Sequence, residues 1–127
     1  MRIAIVDDIS EDRLILRSEI NAYFQEKSGD TIITFEEFPS GEALLSAFVP
    51  GHFQIVFLDI YMPGMNGIEL LRWIRGDHRN LSVIMVTAAT EIQTVAEALQ
   101  LGIVVYLIKP FSFARFQEAV QKYLRKE

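Results

Sequence analysis

A chain of 127 residues, half of them hydrophobic, can bury about two-thirds of its unfolded surface as one domain. Its net charge of −5 and its scattered basic residues speak against direct binding of nucleic-acid phosphates. No apolar run reaches the roughly 20 residues of a membrane span, and the lack of cysteine excludes disulfides, thiol nucleophiles and zinc–thiolate sites.

Met1-Arg2-Ile3 enters a strand-like run at once, which leaves no room for a signal peptide, so a reducing cytoplasm is the expected compartment. That run, Ile3-Ala4-Ile5-Val6, ends in Asp7-Asp8. Ser10 is placed to cap a helix from about Glu11, with Leu16, Ile20, Tyr23 and Phe24 along one stripe. Thr31 to Phe38 carries Glu36 and Glu37, as an edge strand can. Ser40 is the next helix cap, before Gly41. Ile55-Val56-Phe57-Leu58 ends in Asp59, and Pro63-Gly64 and Asn66-Gly67 then turn the chain sharply before a helix carrying Leu71 and Ile74. Val83-Ile84-Met85-Val86 ends in Thr87. The spacing in Thr90-Glu91-Ile92-Gln93 is that of a capping box, which predicts a helix from Glu91 with Ile92, Val95 and Leu99 turned to the sheet. Val104-Val105-Tyr106-Leu107-Ile108 ends in Lys109-Pro110. Phe116, Ala119, Val120, Tyr123 and Leu124 mark a last helix, whose basic end at Lys122, Arg125 and Lys126 suits a helix C-terminus. Gly29, Gly51, Gly76 and Gly102 each follow a helix-like stretch, where a left-handed residue is expected. His52 and His78 stand singly in loops and read as solvated.

Strand and helix alternate five times with no repeat, linker or second core, which predicts a single α/β domain over residues 1–127. Four runs are apolar throughout, as parallel strands covered on both faces are. Right-handed crossovers and an acidic edge strand give a doubly wound (βα)5, flavodoxin-like three-layer sandwich with sheet order 2-1-3-4-5.

In such a sheet the four polar punctuations meet at one carboxyl edge, where open parallel sheets place their sites. Asp7, Asp8 and Asp59 would then crowd together. One like-charge pair about 4 Å apart costs roughly 4 kcal/mol at an effective dielectric of 20. Lys109 offsets part of that, and a divalent cation would offset the rest. Oxygen ligands and the absence of paired histidines favour magnesium, which pairs one or two carboxylates with a phosphate oxygen. Asp59, in the middle, is the expected nucleophile, forming an aspartyl phosphate. Lys109 would neutralise phosphoryl oxygens, Thr87 would supply a hydroxyl, and Ala88 is small enough to leave room. The loop after Asp59 can offer a backbone carbonyl to the metal. No GxxxxGK[ST] or GxGxxG motif occurs, so ATP and dinucleotides are not expected ligands. A phosphohydrolase with an Asp nucleophile would carry a second acid two residues on, where this chain has Tyr61.

Asp7-Asp8, Leu58 to Gly67, Thr87-Ala88 and Tyr106-Leu107-Ile108-Lys109-Pro110-Phe111 together resemble the receiver domain of bacterial two-component response regulators, over essentially the whole chain. The resemblance implies that Asp59 accepts a phosphoryl group from a phosphohistidine on a sensor histidine kinase. Asp8, Asp59 and the backbone carbonyl of Tyr61 would bind magnesium, with Asp7 acting mainly through water. It also implies a cis Lys109-Pro110 bond at the phosphoryl pocket, and a switch in which Thr87 is drawn to the phosphoryl group and Tyr106 turns inward. The readout face would be the helix from Glu91, the strand at Tyr106 and the helix from Phe113. Such a protein is no turnover enzyme; it catalyses only its own phosphorylation and dephosphorylation. Asp7 to Ile20, Ser40-Gly41-Glu42 and Phe111-Ser112-Phe113 look like LytTR-type regulators, while Thr87 to Val95 looks like citrate- or dicarboxylate-responsive ones. Either kind implies a DNA-binding output domain missing from this chain. A homodimer could form on the readout face through Glu97, Arg115, Glu118 and Lys122. Bulky Tyr61 and small Ala89 point to a long-lived phosphorylated state.

Overall fold

The computed structural model describes residues 1–27, 29 and 31–125, with side chains to Tyr123. The Leu124 and Arg125 side chains and Lys126 lie outside the described residues. Strands β1 (Arg2–Val6), β2 (Thr34–Phe38), β3 (Ile55–Leu58), β4 (Ser82–Thr87) and β5 (Val105–Ile108) alternate with helices α1 (Ser10–Lys27), α2 (Gly41–Ala47), α3 (Gly67–Asp77), α4 (Ile92–Gln100) and α5 (Phe113–Arg125). All strand pairs are parallel, and the sheet order is β2-β1-β3-β4-β5, as expected.

Alternation within the apolar runs splits the core in two. Ala4, Val6, Val56, Leu58, Val83 and Met85 face α2, α3 and α4. Ile3, Ile5, Ile55, Phe57, Ile84 and Val86 face α1 and α5. The central strands β1, β3 and β4 are therefore apolar on both faces and carry a helix layer on each, the three-layer arrangement a parallel sheet needs. On edge strand β2, Glu36 meets Arg2 and His52, and Glu37 meets Arg13 and Arg17 of α1, so the acids that marked the edge also fasten it.

Several local expectations are corrected. Helix α1 begins at Ser10 itself, with the Ile9 carbonyl accepting from Asp12 and Arg13. Gly51 and Gly102 adopt φ of +80° and +78°, but Gly76 lies within α3. Ser40 caps α2 as expected, whereas Thr90 does not cap α4. Its helix starts at Ile92, and the carboxylate of Glu91 turns outward to Tyr61. Ile92 (86% exposed) and Leu99 (56%) face solvent, and Ala98 packs inward instead. A small residue lets α4 lie close to the sheet and sends the larger side chains outward. Neither histidine is merely solvated: His52 bonds Glu36 at 2.8 Å, and His78 packs 4.6 Å from the ring of Phe48.

Arg75 joins the lower ends of α3 and α4. Its half-buried guanidinium donates to the carbonyls of Leu101, Gly102, His78 and Leu81. The carbonyls of His78, Leu101 and Gly102 sit at or just past helix ends, where backbone acceptors lack intrahelical partners, and that of Leu81 directly precedes β4.

Candidate functional site

The sheet ladder runs one residue past three strands and thereby fixes the site's backbone. Asp7 N–H donates to Phe38, Asp59 N–H to Val6 and Lys109 N–H to Thr87, at 2.9–3.1 Å. Because Val6 pairs with Leu58, Asp7 and Asp59 emerge side by side. Asp7, Asp59 and Thr87 are buried, and Asp8 stands exposed at the rim. The Lys109-Pro110 bond is cis.

Lys109 draws the elements together. Its Nζ donates to Asp7 Oδ2 at 2.7 Å, Asp12 Oδ2 at 2.8 Å and Asp59 Oδ2 at 3.0 Å. Burial alone would push the ammonium down, but these three carboxylates outweigh it and hold its pKa well above the ordinary lysine value. Burial pushes the Asp7 carboxyl up; bonds from Lys109 and from the N–H of Ile9 pull partly against it. One oxygen of Asp59 accepts from Lys109, while the other takes the N–H of Tyr61 at 3.3 Å.

Asp7, Asp8 and Asp59 each offer a carboxylate oxygen, and these lie within 4.8 Å of one another. Such a set of hard oxygens, with one ammonium among the carboxylates, fits a divalent ion such as magnesium. Thr87 Oγ1 accepts the N–H of Ala89 at 3.3 Å, and the Ala89 carbonyl accepts the Tyr106 hydroxyl at 2.6 Å. The two candidate switch residues are thus tied to one alanine. Tyr106 is half-buried against the core, and its hydroxyl is bonded to protein rather than left to solvent. Exposed Ala88 and Pro110 line a groove of about 370 Å³ beside Lys109, Asp7 and Asp12. A larger concavity of about 440 Å³, lined by Phe48, His78 and Asn80, opens at the other end of the sheet and holds none of these residues.

Four contributors lie outside the sequence expectation. Asp12 reaches Lys109 across 97 residues. Arg13 donates to the Asp7 carbonyl at 2.6 Å. Glu42 of α2 accepts the N–H of Met65, which pulls its carboxyl below the usual range and clamps the loop after Asp59. Glu91 accepts the Tyr61 hydroxyl at 2.5 Å, so Tyr61 leans toward α4. Local sequence carries no sign of these contacts. Asn66, by contrast, caps α3 in a full capping box with Glu69, and the Asn-x-x-Glu spacing was there to be read.

Burial pushes the Tyr106 phenol up to about 12, with the charges of Glu91, Tyr61 and Asp59 adding to it. The folded chain then keeps this proton where an unfolded one, titrating near 10, loses it. The stabilisation is complete below pH 10 and is lost as pH rises towards 12. Between those limits, unfolding free energy is expected to fall more steeply in the parent than in Tyr106→Phe, as denaturant titrations would read. Parallel declines would contradict that environment.

The sequence model described as "Response regulator receiver domain" matches residues 3–121. The Pseudomonas aeruginosa chemotaxis protein CheY is 36% identical over 124 residues, covering 96% of this chain and 94% of that protein. The Bacillus subtilis transcriptional regulatory protein MalR is 47% identical over 76 residues, 60% of this chain but only 32% of MalR. Among solved structures, a CheY-like response regulator receiver domain protein from Methanospirillum hungatei superimposes with a TM-score of 0.77 at 26% identity, covering 98% of this chain and 94% of that one.

Proposed function

Since this chain belongs to the response regulator receiver domain family, and so to phosphorylation-dependent signalling, we propose that Asp59 is the residue phosphorylated and that a sensor histidine kinase is the donor. An Asp59 carboxylate oxygen attacks the phosphorus of a phosphohistidine. The P–N bond breaks, and the imidazole nitrogen leaves with the electron pair and picks up a proton. The observation that carries this reading is Lys109, whose ammonium lies on Asp59 and Asp7 at once. It would meet the phosphoryl oxygens, with the Thr87 hydroxyl beside it and Ala88 and Pro110 leaving space. Asp7, Asp8, Asp59 and the Tyr61 carbonyl would hold magnesium, which supplies positive charge against the phosphoryl oxygens when bound.

Thr87 Oγ1 accepts the Ala89 N–H, so a shift of its hydroxyl towards a phosphoryl group would bear on the Ala89–Tyr106 tie. Signalling requires only that the phosphoryl group stabilise one arrangement of this tie over another. The readout face would be α4, β5 and α5, where Ile92, Leu99 and Ile108 are exposed apolar residues. Its partner would be an output domain, and the name of MalR, a transcriptional regulatory protein, supports a DNA-binding one. The LytTR-type and citrate- or dicarboxylate-type readings both accommodate that. Glu97 already pairs with Arg72 of α3, which argues against its use in a homodimer; exposed Arg115, Glu118 and Lys122 keep that option for α5. Tyr61, half-exposed and tied to Glu91, would hinder water at Asp59 and lengthen the phosphorylated state. Ala89 is fully buried, so it offers no group to aim a hydrolytic water.

Incubation with magnesium and a small acyl phosphate tests the reading. Labelling that stops near one phosphoryl group per chain is expected. Sustained release of phosphate over many turnovers would make the chain a phosphohydrolase, and no labelling would leave it a binding module.

A further inference from the structure

An ammonium group has three N–H donors. In Lys109 all three are engaged, by Asp7, Asp12 and Asp59 at 2.7, 2.8 and 3.0 Å. A phosphoryl group on Asp59 can therefore draw on Lys109 only when one of these bonds is given up. Asp7 and Asp59 belong to the cluster able to hold a cation, and Asp12 does not. The Asp12 side chain is also the most open of the three, 30% exposed against 7% and 5%. Its carboxylate returns to water most easily, because the other two would be left buried without the ammonium or would have to leave the cation site.

We infer that Asp12 is a positioning residue for Lys109: it holds the ammonium on the α1 side of the site until a phosphoryl group arrives, then yields its N–H, and so restrains phosphoryl uptake. The inference rests on Asp59 being the acceptor. It has two consequences of opposite sign. Removing the Asp12 charge frees a donor and lowers the negative field facing an anionic phosphodonor, so uptake should quicken. The same change leaves Lys109 less compensated beside Asp7, Asp8 and Asp59, so a divalent cation should bind more weakly. A residue that merely supported the fold would not move these two quantities in opposite directions.

The test compares the parent chain with Asp12→Asn, close to isosteric, and Asp12→Glu, with folding checked by circular dichroism. Uptake from acetyl phosphate at saturating magnesium is measured by intact mass, and magnesium affinity by calorimetry without any phosphodonor. Asp12→Asn is expected to take up phosphoryl about three to ten times faster, the scale of one partly exposed charged hydrogen bond. Its magnesium affinity is expected to fall by about two- to fivefold. Asp12→Glu should stay closer to the parent in both. Uptake by Asp12→Asn no faster than the parent's, or magnesium affinity that does not fall, overturns the inference while leaving Asp59 as acceptor. A parent that takes up no phosphoryl group overturns both.

Discussion

Lys109→Met is expected to slow phosphoryl uptake from a small acyl phosphate by about a hundredfold or more, the usual loss when a preorganised charge donor leaves the transition state. The methionine stem keeps most of the packing of a side chain that is only 17% exposed, so the change isolates the ammonium. Asp7 and Asp59 are left buried with no cation between them. The lysine and these two partners are largely out of water, so the stability cost is about 3 kcal/mol, the low end for breaking a buried pair. Magnesium affinity should rise in this variant, since a competing positive charge has gone. Rapid-quench labelling and a magnesium titration on the same preparation read both effects. Uptake within a factor of about three of the parent would mean that Lys109 has no part in stabilising transferred charge.

Gly67→Ala is expected to destabilise the domain by about 4 kcal/mol or more, the upper range for single substitutions. A Cβ at this position would stand 2.1 Å from the Asp59 carbonyl oxygen and 2.7 Å from the Ile60 Cα. Both are backbone atoms of the segment that carries the proposed nucleophile, so neither can swing aside as a side chain would. Gly67 opens α3, capped by Asn66, and its N–H donates to the Ile60 carbonyl at 2.9 Å. The turn after Asp59 is thus folded back on itself at a distance only glycine permits. Gly76→Ala is the control. That residue lies inside α3 with no atom near its missing Cβ, and alanine there should stabilise by about 0.5–1 kcal/mol. Urea melts of the two variants compare them directly; a mild effect at Gly67 would contradict the close backbone approach.

The long apolar runs and their polar ends were legible because a parallel sheet imposes both: burial on two faces and a site at the carboxyl edge. Asp7, Asp59, Thr87 and Lys109 follow directly from that rule, and the sheet order followed from the acids on β2. Features settled by tertiary packing were not legible. The apolar stripe of α4 reads as a core face, yet Ile92 and Leu99 turn outward because Ala98 is the residue that fits against the sheet. The capping box at Thr90 fails because the helix starts one residue later, with Glu91 at the cap position and its carboxylate accepting the Thr90 N–H and the hydroxyl of Tyr61, 30 residues away. Asp12 resembles any acid in the first turn of a helix, and only the path of the chain at Lys109 gives it a role. Glu42 is the same case, since its target, the N–H of Met65, exists only once the turn has formed.

The claim on which the account turns is that one carboxylate, Asp59, receives the phosphoryl group. Intact-mass spectra of the parent and of Asp59→Asn, taken after treatment with acetyl phosphate and magnesium, address it directly. The parent should gain roughly 80 Da, the mass of one phosphoryl group, and Asp59→Asn should gain nothing over the same period. Equal gains by the two chains would place the phosphoryl group elsewhere and contradict the account.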